Sequence, residues 1–118
     1  MLHEGLRFTK RNHHNYLILE FQDKVSKKEV EPLKDLLELE LSARNLFIAV
    51  DFSGSTQVSS FALGALLEYW KKFRSVGGEL VVLTPTTEVR NLLDETRIGA
   101  ILPVAEVEEE LTEYSRAV

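Results

Sequence analysis

Three short apolar runs constrain this chain more than any other feature: Tyr16 to Phe21 (YLILEF), Leu46 to Phe52 (LFIAVDF) and Glu79 to Leu83 (ELVVL). A strand with one wet face alternates apolar and polar residues, whereas a strand covered on both faces need not. Leu46 to Val50 is apolar at every position, so it reads as a strand with both faces covered. Segments of helical period lie between the runs. Leu33, Leu36, Leu37 and Leu41 share one helix face, and Ser60 to Ser75 carries Phe61, Leu63, Leu66, Tyr69, Trp70 and Phe73. Strand and helix therefore alternate, which predicts mainly parallel pairing through right-handed crossovers.

The punctuation between elements agrees. Ser26 and Glu29 have capping-box spacing, and Pro32 fits a first turn but would break an interior, so regular helix is expected from near Glu29, or kinked. Ser53 to Ser59 reads as a Gly/Ser/Thr loop, and Gly77-Gly78 as the stop of the long helix. Thr84-Pro85 reads as an N-cap and first helical residue, with Val89, Leu92 and Leu93 as the buried stripe that follows. Leu6 to Lys10 predicts an opening strand, Asn12 to Asn15 a turn, Ile98 to Val104 a last strand, and Ala105 to Ala117 a final acidic helix. The expected α/β fold is a mixed, mainly parallel sheet of about five strands with an amino-terminal hairpin, covered by about four helices.

Composition removes several function classes. At 118 residues the chain predicts one domain over 1–118. The absence of cysteine excludes a disulfide framework, a thiol nucleophile and a zinc ribbon. No apolar run approaches the roughly 20 residues of a membrane span, and the start Met1-Leu-His-Glu-Gly lacks a signal-peptide pattern, so a cytoplasmic protein without membrane contact is expected. A net charge of −5 argues against a nucleic-acid partner, which needs a basic face.

In an open α/β sheet the functional residues gather beyond the carboxyl ends of the strands. The most unusual segment there is Asp51-Phe-Ser-Gly-Ser-Thr-Gln-Val-Ser-Ser60, with five hydroxyl residues leading into a helix N-terminus. It has one glycine and no lysine, so it is no Walker motif, and neither G-x-G-x-x-G nor G-x-S-x-G occurs. His3, His13 and His14 all lie near the opening hairpin, far in sequence from any candidate nucleophile, and His13-His14 lacks a spaced third metal ligand. Asp51 ends a central strand like a receiver phospho-acceptor, but the acidic cluster and the lysine of that chemistry are missing; local hydrogen bonding of its own loop is the expected role. No enzymatic centre and no cofactor are expected. Phe61 and Leu63, in the first turn of the long helix, cannot easily both face the core, which points to an apolar patch for a protein partner.

The stretch Leu46 to Val104 resembles a STAS domain, the fold of bacterial anti-sigma factor antagonists. The resemblance rests on IAVDFSG, the segment VSSFALG with its helix, the Gly77-Gly78 turn, the apolar strand ELVVL, a short helix and the ILPV strand. It implies a partner that is an anti-sigma factor with serine kinase activity, and a serine phosphatase that resets the switch. Matched on Leu63-Gly64, the phospho-acceptor position falls on Ser60, with Ser59 as the alternative. The family's neighbouring aspartate is Ser59 here, its small residue is Phe61, its next glycine is Ala62, and its early aspartate is Ser26. The implied partner surface comprises Ser26, Ser53, Ser59, Ser60, Phe61, Leu63 and Gly64. Two other readings stand beside the switch: a scaffold subunit of a stressosome or lipid-transport type of assembly, and a small-ligand or nucleotide-binding domain. Oligomeric state is left open by the sequence.

Overall fold

A computed structural model describes residues 5–112. Strand β1 (Arg7–His13) turns back into β2 (Tyr16–Val25); a 3-10 turn (Lys27–Glu29) leads into helix α1 (Val30–Ser42). Then follow β3 (Phe47–Val58), α2 (Ser60–Ser75), β4 (Glu79–Leu83), α3 (Thr87–Thr96), a 3-10 turn (Ile98–Ala100), β5 (Val104–Ala105) and a 3-10 turn (Glu108–Glu110). The sheet order is β1-β2-β3-β4-β5, with β1 antiparallel to β2 and every other pair parallel.

Each parallel strand is added on the same side of the one before it. Right-handed crossovers must then all pass over the same face, so α1, α2 and α3 share one face of the sheet. That face holds the main core, where Leu19, Phe21, Ile48, Val50, Phe52, Leu80 and Val82 meet Leu33, Leu37, Leu63, Leu66, Phe73, Val89 and Leu93. Alternate residues of the same strands point the other way. Tyr16, Ile18, Ala49, Val81 and Leu83 form a smaller core closed by Ala105 and Leu111. The apolar runs lack alternation because both of their faces are buried.

Four local expectations are corrected. First, Ser53 to Ser59 is no loop: β3 continues to Val58, held by parallel pairing with Gln22 to Val25 across two register shifts. Tertiary pairing overrides a composition poor in strand formers. Second, Thr84 is not an N-cap. Its N–H donates to Ala105 O at 2.7 Å, so it stays with the sheet, and Thr86 caps α3 by accepting from Val89 N–H at 3.3 Å. Third, the last strand is only Val104–Ala105, with Ile98–Ala100 a 3-10 turn. Fourth, the final helix expected over 105–117 is represented by the Glu108–Glu110 turn and helical residues 111–112, and its remainder lies outside the described residues.

The central helix ends as its glycines require. Gly77 has φ +88°, and Gly78 N–H reaches back to Phe73 O at 2.8 Å. A Cβ on Gly78 would lie 2.2 Å from Leu46 O, so the turn and the entry to β3 pack backbone to backbone.

Candidate functional site

Parallel register builds the site. Val25 and Val58 are partners at the carboxyl ends of β2 and β3, and Ser59 N–H donates to Val25 O at 3.1 Å. Each strand is followed at once by a serine-headed turn, so Ser26 and Ser59 lie side by side although 33 residues separate them in sequence.

The two turns use their serines structurally. Glu29 Oε1 accepts from the Ser26 backbone N–H at 2.8 Å and from the Ser26 hydroxyl at 2.6 Å. Burial pushes the Glu29 carboxyl upward, but the Ser26 hydroxyl and N–H outweigh it, and the net direction is below the ordinary value. Ser59 is the N-cap of α2: its side chain accepts from Ala62 N–H at 3.3 Å. Ser60 differs. It is the first helical residue, it is exposed, and its hydroxyl makes no hydrogen bond with a described residue. Of the two serines at the head of α2, Ser60 therefore has the hydroxyl without a hydrogen bond among the described residues, with Ser59 engaged beside it.

Phe61 and Leu63 part company. Phe61 is 56 % exposed with Lys27 Nζ 5.0 Å from its ring centroid, a cation–π contact. Leu63 is 0 % exposed and belongs to the main core. Two residues apart is about 200° around a helix, so the two cannot share a face. Leu63 is thus corrected from partner surface to core. Gly64 is exposed, and a Cβ there would meet nothing within 4 Å. Ser53 is exposed but lies six residues before Ser59, up to about 20 Å away along an extended strand.

Sequence reasoning missed a groove of about 870 Å³ beside these residues. Its walls are Lys24, Ser26, Lys27, Lys28, Glu29, Gln57, Ser59 and Phe61. The pairing Lys24↔Gln57 sets the end of β2 against the end of β3 and makes the walls converge. The signal available in the sequence was Lys24-Val-Ser-Lys-Lys28, a basic cluster around the first cap in an acidic chain.

Asp51 is 5 % exposed within β3 and accepts from Ser53 N–H at 2.8 Å, the local role expected of it. His13 Nδ1 faces Glu108 Oε2 at 2.8 Å. Among the described residues no group of three or more His, Asp or Glu side chains is placed to hold a metal ion, and no helix is long and apolar enough to cross a membrane.

Several solved structures share this fold. A Thermotoga maritima protein assigned as an anti-sigma factor antagonist is 22% identical, with a TM-score of 0.83 over 92% of this chain and 94% of that one. The anti-sigma factor antagonist SpoIIAA in its unphosphorylated form is 15% identical, with a TM-score of 0.71 over 95% of this chain and 100% of that one. The Bacillus cell fate determinant SpoIIAA in its phosphorylated form is 17% identical, with a TM-score of 0.66 over 92% and 98%. No curated protein matches the sequence. The STAS domain family model matches residues 7–111. With nearly its whole length inside that match, and a sheet and helices in the same arrangement, the chain belongs to the STAS domain family.

Proposed function

We propose that this chain is an anti-sigma factor antagonist, a non-enzymatic cytoplasmic regulator. In this reading it binds a kinase-type anti-sigma factor and loses that partner when Ser60 is phosphorylated. The observation that carries the reading is the division of labour at the start of α2, where Ser59 is engaged as the cap and Ser60 presents a free, exposed hydroxyl. The fold shared with anti-sigma factor antagonists, one of them known in both phosphorylation states, supports it.

The physics suits a switch that leaves the fold alone. A phosphate adds about −1.5 to −2 charges at neutral pH. On the first helical residue it meets the positive end of the helix dipole, so the folded domain tolerates it. The partner, in contrast, meets a new charge in the middle of its contact, beside exposed Phe61 and Gly64 and the half-buried Ser26 and Ser59. A serine phosphatase restores the hydroxyl.

The test compares three baits, wild type, Ser60→Ala and Ser60→Asp, in extracts of the native host. The expected result is capture of a small ATP-binding kinase by wild type and Ser60→Ala and its loss with Ser60→Asp, while the melting temperatures agree. Capture of the same partners by all three baits would contradict the switch and favour a scaffold role.

A further inference from the structure

We propose that the lysine-rimmed groove beside Ser60 receives an acidic segment of the protein partner, and that phosphate on Ser60 releases this segment by cancelling the groove's charge. The inference rests on the reading of Ser60 as the switch, and deepens it by assigning the chemistry of the partner.

The charge balance carries the argument. The chain as a whole has a net charge of −5. Elsewhere its cations are largely paired: Arg7 with Asp23, Lys10 with Glu40, Arg11 with Glu108, Arg74 with Glu79 and Arg90 with Glu106. Lys24 and Lys27 make no ion pair with a described residue, and Lys28 acts only through space on Glu29. All three are exposed and line one groove, in which Glu29 is the single carboxylate among the described residues, so that described lining carries a net charge of +2. Glu29 is itself occupied by the Ser26 N–H and hydroxyl. Three cations with no ion pair within 4 Å among the described residues, converging on one concave surface of an acidic protein, complement an acidic ligand. The exposed ring of Phe61 on the same wall adds an apolar contact, so the fitting segment has carboxylates flanking an aliphatic side chain.

Ser60 stands between two residues that line this groove, Ser59 and Phe61. Phosphoryl transfer forms a bond from Ser60 Oγ to the γ-phosphorus of ATP, breaks the bond to the ADP oxygen, and releases the hydroxyl proton. The added charge of about −1.5 to −2 is equal in size and opposite in sign to that of the groove. The modified site then has no net attraction for carboxylates. Release needs no conformational change in the sheet or in α2.

The test is a titration of isotope-labelled protein followed by NMR. The probes are an acetylated decapeptide of glutamate and leucine, its lysine and leucine counterpart, and inorganic phosphate. The expected result is saturable shifts at Lys24, Lys27, Lys28, Gln57 and Phe61 with the acidic peptide alone. Affinity should fall at least tenfold in the Lys24→Glu/Lys27→Glu/Lys28→Glu variant and severalfold in Ser60→Asp, and should weaken as salt rises. Shifts confined to another face, an equal response to inorganic phosphate, self-association of the protein through this groove, or indifference to the triple variant would each overturn the proposal. The two claims fail separately. If the peptide result holds but Ser60 is never modified, the switch falls and the groove stands. If phosphorylation of Ser60 releases the partner but charge reversal of the lysines leaves partner affinity unchanged, the groove falls alone.

Discussion

Replacing the two adjacent serines one at a time should separate folding from switching. Ser59→Ala removes the side-chain oxygen that accepts from Ala62 N–H and leaves that donor the Ser59 carbonyl alone, at 3.1 Å. Loss of a serine N-cap costs about 1 kcal/mol, within a range of about 0.5–2. For a domain of this size that lowers the melting temperature by about 4 °C. Ser60→Ala removes an exposed hydroxyl with no hydrogen bond among the described residues, and alanine is the better helix former, so stability should hold within about 0.5 kcal/mol. Urea unfolding of the two variants beside wild type, with equal m-values, measures both differences in one experiment. Partner binding should show the reverse pattern in response to kinase and ATP: Ser59→Ala remains switchable and Ser60→Ala does not. A destabilisation of about 1 kcal/mol in Ser60→Ala, or none in Ser59→Ala, would refute the assignment of cap and free hydroxyl.

Other consequences follow from neighbouring residues. Leu63→Ala should cost about 2–5 kcal/mol by leaving a cavity in the main core, whereas Phe61→Ala should leave the unfolding midpoint nearly unchanged and weaken partner binding. Gly78→Ala should destabilise more than Gly77→Ala in thermal unfolding: the first sets a Cβ against Leu46 O, while the second pays only the positive-φ penalty of about 1–2 kcal/mol. The hydrogen bond from Arg11, followed by the charges of Arg11 and His13, holds the Glu108 carboxyl below its ordinary value. A depressed folded pKa gives stability that is present above the unfolded value and lost as pH falls through the folded one. Stability measured from pH 6 down to pH 3 should therefore decline less steeply in Glu108→Gln than in wild type; an unchanged slope would show that this contact is not formed in solution.

What the sequence could reveal depended on whether the cause was local. The apolar runs, the helical stripes and the Gly77-Gly78 stop each act within a few residues, and each element they predict is present in the fold. The extension of β3 through Ser53 to Val58 was illegible, because its cause is pairing with Gln22 to Val25 rather than any strand preference of its own. Thr84 misled for a similar reason: the hydrogen bond to Ala105 that removes it from capping is made to a strand 21 residues away. At the site, the head of α2 was visible as a serine pair before a helix. The roles of the pair depended on which hydroxyl turns back to Ala62 N–H, and the backbone at the head of α2 decides that, not the residue type. The groove escaped because its lysines belong to the end of β2 and the turn after it, while Gln57 and Phe61 come from β3 and α2. Parallel register, not sequence proximity, makes them neighbours.

The most direct test of the central claim is to incubate the purified protein with ATP and the kinase-type anti-sigma factors of its own host, and to map the phosphate by mass spectrometry. The account predicts one phosphate, on Ser60, and its disappearance in Ser60→Ala while Ser59→Ala is still modified. Phosphate on Ser59, or none on either serine with every kinase, would contradict it.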